Sequence, residues 1–407
     1  MTDLGVRART GTTVGVAPTR EALVTRARAL VPVLAGNAAQ GERDRRLTDE
    51  AVAALRGAGM FRLSAPRRVG GDEVDTRTLI DVSAELARGD GSASWVVALM
   101  NTGAYLVGQL PDRARDEVFG ADPHAAVCAQ LATTATARPV DGGFVVSGRW
   151  AWASGSPWAT WSMSSAPLLD AQGELADLRA VLIPTSAMTV EDTWFAAGMA
   201  ATASNTFVAD EVFVPDHRTL SIPEMAQGGG RREHDDEPLY RSTSFSALTL
   251  TMTGPLLGLA RAALEKVLDT VRTGKPIAYS VYERSLDAPS YRLAVADAAG
   301  LIDTATMHVH RSAEAIDTAA LRGVQLDVLT RARVRSDIAV AIARCREAVG
   351  LLLDVGGASS FAQSSPLQRT WRDIEIISRH GLLNAALGRE IYGRALLGVE
   401  DQVAALF

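Results

Sequence analysis

The sequence predicts an α+β protein of several domains, with helical regions at both ends of the chain and a β domain between them. Three observations predict this order. Apolar residues recur at helical spacing over residues 19–122. Short apolar runs separated by glycine or proline follow over 123–220, as expected for strands. Long stretches rich in Ala and Leu then occupy the chain from residue 243.

The boundaries follow from these changes in pattern. We predict a flexible arm over residues 1–18, an N-terminal helical domain over 19–122 and a β-barrel or β-sandwich over 123–220. A polar loop over 221–242 and a C-terminal four-helix bundle over 243–407 follow. The arm lacks periodicity, and the loop combines three glycines with an acidic cluster. The long helices of the last region fit a bundle that also packs against other subunits.

The composition argues against several classes of partner. The chain has 41 basic and 47 acidic residues, so no basic excess indicates binding to nucleic acid or to an anionic membrane. We find no apolar run of ~18 residues and no apolar signal-peptide region. Cys128 and Cys345 lie far apart and are typical of buried thiols in a reducing compartment. We therefore expect a soluble cytoplasmic protein.

Several common catalytic motifs are absent from the sequence. It contains no GxGxxG after a strand, no phosphate-binding GxxxxGK[ST], no HExxH and no GxSxG. His308 and His310 are the only closely spaced histidines, and their spacing places them on different faces of a helix. The sequence thus predicts neither a nicotinamide site nor a metal site.

The most unusual segment is the tryptophan-rich run Ser147–Ser156, which follows a Gly-Gly turn. Four of the seven tryptophans fall between Trp150 and Trp161. An aromatic sheet core explains this run on the residues alone. However, the small residues at Ala153 and Ser154 would let a flat ring approach the backbone, and the serine adds a hydroxyl group. Both interpretations remain open at this point.

The helix–β–helix order and this segment resemble the acyl-CoA dehydrogenase superfamily. In that family a Gly-x-Lys-x-Trp-Ile-Thr/Ser strand lies against the flavin ring. The matching residues here are Gly148, Trp152, Ala153 and Ser154, whereas Trp150 departs from the family's lysine. The runs Ala87–Val96, Trp194–Met199 and Val212–Pro215 are similar to the family's flavin-dependent monooxygenase branch, which comprises the two-component hydroxylases. The resemblance extends from about residue 20 to residue 400.

The C-terminal run from Trp371 to Gly381 distinguishes between the branches. Dehydrogenases of this fold often place a glutamate base where this chain has Gly381, and His380 precedes it. A missing carboxylate argues against acyl-CoA oxidation, and the histidine matches the monooxygenase branch, where it faces substrate and flavin. A lone helix histidine is more often structural, but its matching position favours a catalytic role. Its ordinary pKa of about 6.5 would let it take a phenol or indole proton at neutral pH.

The resemblance implies a set of site residues. The catalytic residues would be His380 and Ser154. Contacts to flavin would come from Trp152, Ala153, Ser154, Arg241, Gly357, Ser359 and Ser360, and contacts to substrate from Trp95, Asn101 and Trp371. The residues alone allow simpler roles: a helix C-cap for Gly357, a solvated cation for Arg241 and a helix-surface amide for Asn101.

The resemblance also implies the reaction. A reduced-flavin-dependent monooxygenase would hydroxylate a small aromatic molecule, such as a phenol, an indole or a polyketide-like ring, through a flavin C4a-hydroperoxide formed with O2. A separate NAD(P)H flavin reductase would supply the flavin, FADH2 in preference to FMNH2, and the family is commonly homotetrameric. The alternatives are an FAD-dependent acyl-CoA dehydrogenase, an N- or S-oxygenating monooxygenase of the same fold and a helical scaffold without flavin.

Overall fold

The computed structural model describes residues 17–120, 122–130, 135–170, 172–229, 233–234, 236–400 and 403–404. The predicted arm lies outside the described residues, apart from Ala17 and Pro18.

The N-terminal region is helical, as the sequence predicts. Its helices are α1 Arg20–Asp44, α2 Asp49–Gly57, α3 Thr76–Ala87, α4 Gly91–Gly108 and α5 Asp112–Arg115, and one π-helical turn follows α5. Short polar side chains at Thr19, Thr48, Asp75 and Asp90 cap α1 to α4 by accepting backbone N–H groups of the first turn. Every residue of α4 is buried. This helix therefore forms the centre of the molecule.

The central region is a single mixed sheet of eight strands within the described residues. The strands are β1 Val127–Gln130, β2 Thr136–Val140, β3 Gly143–Ala153, β4 Trp161–Leu169, β5 Leu175–Pro184, β6 Thr189–Glu191, β7 Asn205–Pro215 and β8 Thr219–Ser221. Their order is β6-β7-β3-β2-β4-β5-β8, and β1 pairs in parallel with β4. The pairing of β3 with β7 shifts register twice, the second time between Trp150 and Ala153. The tryptophan-rich segment thus ends the strand in a β-bulge.

The segment predicted as a loop over 221–242 contains regular structure. Ser221 caps a short helix, α6 Ile222–Ala226, with a proline in its first turn. A 3₁₀ turn, Pro238–Arg241, ends the segment. The prediction of a continuous loop is therefore wrong at α6, where a capping serine and a proline favour a helix start.

The C-terminal region is the predicted helical bundle. Its helices are α7 Ser244–Thr251, α8 Thr253–Arg272, α9 Pro289–Arg322, α10 Val328–Gly356, α11 Pro366–Ile377 and α12 Ala385–Leu397. Helices α8, α9 and α10 pack against one another, and α8 also packs on α3 and α4. The stretch Ser244–Arg272 is long and apolar enough to cross a membrane, but 83% of its most apolar window is buried inside the protein, as in a core helix.

Candidate active site

The side chain of Trp95 joins the sheet to the C-terminal bundle. It projects from the first turns of the buried helix α4. Its indole N–H donates to the hydroxyl of Ser154, 3.1 Å away at the end of β3. Its ring lies edge-on against the imidazole of His380, with centroids 5.5 Å apart. Three residues predicted for the site are thus brought together, although His380 lies more than 200 residues after the other two in the sequence. We call Trp95, Ser154 and His380 the central cluster.

The β-bulge determines how Ser154 is presented. Trp152 takes a left-handed backbone conformation, with φ 63°, and its side chain is 62% exposed. Ala153 packs into the sheet core, and Ser154 is again buried. Gly155 has φ 81°, and a Cβ there would lie 2.5 Å from the Met100 methyl group. The positive φ values at Trp152 and Gly155 therefore turn the strand end towards α4.

A chain of hydroxyl groups continues from Ser154, and sequence reasoning missed it. The Ser154 hydroxyl lies 2.8 Å from that of Ser204, which lies 2.7 Å from that of Thr202. Thr202 in turn donates to the Met199 carbonyl at 2.8 Å. The only sequence signal is a small polar run directly after the Trp194–Met199 motif. Nothing in that spacing indicates contact with Ser154, which is 50 residues away.

His380 follows α11 and begins a short 3₁₀ turn. Its Nδ1 accepts the backbone N–H of Leu382 at 3.3 Å, so Nε2 carries the hydrogen of the neutral ring. Burial lowers the pKa of His380 to about 4. This corrects the sequence-based expectation of a base with an ordinary pKa. At neutral pH the imidazole is uncharged and presents an N–H donor.

A buried carboxylate fixes α11 to the loop that precedes Thr202. Asp373 accepts the backbone N–H of Met199 at 2.5 Å, and the neighbouring Arg372 donates to the Ala197 carbonyl. Burial raises the pKa of Asp373 to about 7, and the charge of Asp90 adds to this rise. The sequence analysis gave Asp373 no role. A signal was available, because Asp373 lies four residues before the buried Ile377 and therefore on the same, buried face of α11.

Arg241 does not reach the central cluster within one chain. It lies in the Pro238–Arg241 turn, and the ring of the adjacent Tyr240 packs against Gly108 at the far end of α4. Gly108 follows Trp95 by 13 residues, which corresponds to roughly 20 Å of helix. The Arg241 guanidinium donates instead to the Leu321 carbonyl, at 3.4 Å. A single chain therefore does not place Arg241 beside the same ring as Ser154.

The predicted residues Gly357, Ser359 and Ser360 lie in the turn between α10 and α11, and Trp371 lies on α11 itself. Gly357 has φ 63° and caps α10, as the simpler interpretation of the sequence holds. Ser359 donates to the Gly356 carbonyl at 3.0 Å and is exposed. The turn is fixed to the helix by Phe361, whose ring lies 5.8 Å from that of Trp371.

Asn101 is a buried structural residue. Its two amide hydrogens donate to the carbonyls of Met60 and Val97, at 2.7 and 2.8 Å. Its amide oxygen accepts the Ser64 N–H at 2.8 Å. The prediction of a helix-surface amide is wrong, because the residue is fully buried. Both amide hydrogens of Asn101 are in use, so a substrate could contact only its oxygen, and the substrate contact stays a prediction.

The sequence predicts no metal site, but among the described residues one group of potential ligands does assemble. Asp112, Glu233 and His234 each bring a ligand atom within 4.8 Å of the others. The His234 ring contacts the Asp112 carboxylate at 2.9 Å, and Glu233 accepts the Asp112 N–H at 2.8 Å. These contacts pair the three residues with one another.

Comparison with known proteins shows to which family the chain belongs. The family model for the acyl-CoA dehydrogenase C-terminal domain matches residues 250–385. The oxygenase component of an FADH2-dependent resorcinol hydroxylase from Rhizobium sp. (strain MTP-10005) is 32% identical over 389 residues, which cover 93% of this chain and 95% of the relative. The chain belongs to the two-component flavin-dependent monooxygenases of the acyl-CoA dehydrogenase superfamily.

Further relatives of this monooxygenase support the same assignment. The oxygenase subunit HsaA of a flavin-dependent monooxygenase from Rhodococcus jostii (strain RHA1) is 29% identical, over 91% of this chain and 97% of that subunit. The structure of XiaF from Streptomyces sp., in complex with FADH2 and glycerol, superposes with a TM-score of 0.88 at 35% identity, over 95% of this chain and 98% of XiaF. The predicted family, fold and reduced-flavin cofactor are therefore confirmed.

The residues at the end of β3 fit a flavin in this monooxygenase. An indole that is 62% exposed on a strained backbone, at Trp152, provides an apolar face for a flat ring. The buried Ser154 hydroxyl beside it provides a polar contact that can select one edge of that ring. The flavin, when bound, supplies the activation of O2, a reaction that these side chains cannot perform.

Proposed function

We propose that this monooxygenase hydroxylates a small aromatic molecule, such as a phenol, an indole or a polyketide-like ring. The oxygen would come from a flavin C4a-hydroperoxide, and a separate NAD(P)H-dependent reductase in the cytoplasm would supply the reduced flavin. The observation that carries the proposal is the central cluster, in which Trp95 holds Ser154 on one side and His380 on the other. The relative that acts on resorcinol supports an aromatic substrate.

In this proposal His380 acts as a hydrogen-bond donor. Its Nδ1 is engaged by the Leu382 N–H, so the Nε2–H group is the free donor of the ring. A donor of fixed orientation can hold a substrate oxygen or a developing negative charge in place. Because burial lowers its pKa to about 4, His380 keeps this donor over the whole physiological pH range. In this proposal the side chains of Trp95 and Trp371 supply the apolar surface for the substrate.

The flavin would lie on Trp152, Ala153 and Ser154. Arg241 does not reach these residues in one chain, so we propose that it contacts a flavin bound mainly to another subunit, and that the Gly357–Ser360 turn does the same. This requires an oligomer, and we propose a homotetramer. The large apolar side chains exposed on α9, Leu293 and Met307, provide surface for such contacts.

The experiment is an anaerobic titration of the purified protein with FADH2 and FMNH2, followed by mixing with O2 and a phenol or indole. We expect the protein to retain FADH2 more tightly than FMNH2 and to form hydroxylated product. His380→Ala should retain flavin but release H2O2 in place of product. The matched control is His310→Ala, whose imidazole pairs with Asp81 outside the cluster and should leave the product yield unchanged. An unchanged yield in His380→Ala would assign His380 a structural role.

A further inference from the structure

The hydrogen bonds of the hydroxyl chain can run in only one direction. The Met199 carbonyl can only accept, so Thr202 donates its single hydroxyl hydrogen to it. Thr202 must then accept from Ser204, and Ser204 has no second hydrogen for Ser154. The hydroxyl hydrogen of Ser154 therefore points to Ser204. The other neighbour of Ser154 is the Trp95 N–H, which can only donate.

This direction determines what Ser154 can offer to a ligand. The serine oxygen accepts one hydrogen bond from Trp95 and has one lone pair left, and its only hydrogen is in use. A ligand atom that reaches this oxygen must bring a hydrogen of its own. The same serine with a free hydroxyl hydrogen could equally well donate. The relay of Thr202 and Ser204 thus removes one of the two hydrogen-bonding modes of Ser154.

The turn Met199–Ser204, which contains the two relay residues Thr202 and Ser204, is held rigidly by its surroundings. Thr202 and Ser204 are 1% and 4% exposed, so an unmade hydrogen bond at either residue would be costly. Met199 and Ala203 both adopt left-handed backbone conformations, with φ 52° and 45°. The Thr202 carbonyl accepts the Gly155 N–H at 2.8 Å, which ties the turn to the residue after Ser154. The surrounding structure holds the strained turn in the conformation that aligns the hydroxyl groups.

We propose that this relay makes the site selective for the reduced flavin. The N5 atom of reduced flavin carries a hydrogen and can donate to Ser154, whereas N5 of oxidised flavin is a bare acceptor. A serine held as an acceptor attracts the first form and repels the second. Thr202 and Ser204 are then positioning residues that set the redox preference without touching the flavin. The inference rests on the proposed function, in which the flavin ring binds against Ser154.

The test measures the dissociation constants of FAD and of FADH2 under anaerobic conditions, by absorbance and fluorescence titration. The quantity of interest is their ratio, oxidised over reduced. Thr202→Val removes the last donor of the relay without changing side-chain volume much, which frees the Ser154 hydrogen. We expect the ratio to fall about tenfold, which corresponds to about 1.4 kcal/mol. Thr202→Ser keeps the hydroxyl group and should retain the ratio of the unchanged protein. Ser204→Ala should behave as Thr202→Val does.

A double-mutant cycle separates the relay from a general disturbance of the site. Ser154→Ala removes the acceptor and should itself lower the ratio. Adding Thr202→Val to Ser154→Ala should then change nothing further, because the relay acts only through Ser154. Additive effects, or an unchanged ratio in Thr202→Val, would overturn the inference. If the unchanged protein binds neither flavin form, the proposed function fails instead, and the two failures are thereby distinguished.

A second readout needs no flavin. The indole N–H of Trp95 donates to Ser154, so its NMR resonance in protein labelled with ¹⁵N-tryptophan reports the orientation of that hydroxyl. Trp95→Phe identifies the signal. We expect Thr202→Val to shift this resonance and Thr202→Ser to leave it in place. A Trp95 signal that is the same in folded Thr202→Val and in the unchanged protein would contradict the relay.

Discussion

The indole of Trp95 and the imidazole of His380 meet edge to face, with ring centroids 5.5 Å apart and an interplanar angle of 63°. This contact positions the histidine without using either of its ring nitrogens. The indole N–H is directed the other way, to Ser154. One side chain of α4 thus sets the distance between the end of β3 and the end of α11. The consequences of this arrangement can be tested separately.

Trp95→Phe should increase the fraction of reduced flavin that is lost as H2O2. The phenyl ring can still pack against His380, but the donor to Ser154 is removed, which also costs about 1 kcal/mol of folding free energy. The matched control is Trp158→Phe, because the buried indole N–H of Trp158 has no hydrogen-bond partner. Peroxide and product are measured together for both variants. Equal peroxide fractions would mean that the Trp95–Ser154 bond has no role in coupling.

The lowered pKa of His380 predicts a pH-dependent contribution to stability. Burial lowers the pKa from 6.5 to about 4, so the unfolded chain binds the proton more readily. The stability that His380 contributes is present above pH 6.5 and is lost as the pH falls towards 4. We expect the unchanged protein to lose up to about 3 kcal/mol more than His380→Asn over this range. Urea unfolding of both proteins at pH 7 and pH 4.5 measures the difference, and parallel losses would contradict it.

Asp373 predicts a dependence of the opposite sign. Its pKa is raised from 3.8 to about 7, chiefly by burial, so the folded state binds the proton more tightly. The associated stability is present at low pH and is lost as the pH rises through 7. Asp373→Asn keeps an acceptor for Met199 and should be more stable than the unchanged protein at pH 9, by about 2–4 kcal/mol. The exposed Asp303→Asn is the control, and the same pH slope in all three proteins would refute the prediction.

Asn101→Ala should destabilise the protein and leave catalysis by the folded fraction unchanged. The substitution removes three hydrogen bonds and leaves the buried Ser64 N–H and Met60 carbonyl unsatisfied, at a cost of about 2–4 kcal/mol. Chemical denaturation measures the loss, and KM for the aromatic substrate is compared in the same preparations. A raised KM with unchanged stability would support the substrate contact that the sequence suggested.

The sequence by itself determined the order of the elements and the family. Capping residues such as Thr48 and Asp75, and the glycines between strands, act over a few residues, so their consequences can be predicted locally. The positions of Ser154 and His380 were predicted through motif resemblance. The prediction of a surface position for Asn101 was wrong, because the polarity of a side chain does not reveal whether its hydrogen-bond partners are internal.

Only the tertiary structure decided how these residues act. The relay through Ser204 and Thr202 depends on contacts between chain segments that are 50 residues apart, and the direction of its hydrogen bonds depends on the Met199 carbonyl at its end. The pKa values of His380 and Asp373 depend on desolvation by neighbours from other helices. Local sequence patterns carry no information on such long-range contacts, whereas hydrogen-bond direction and burial are properties of the assembled fold.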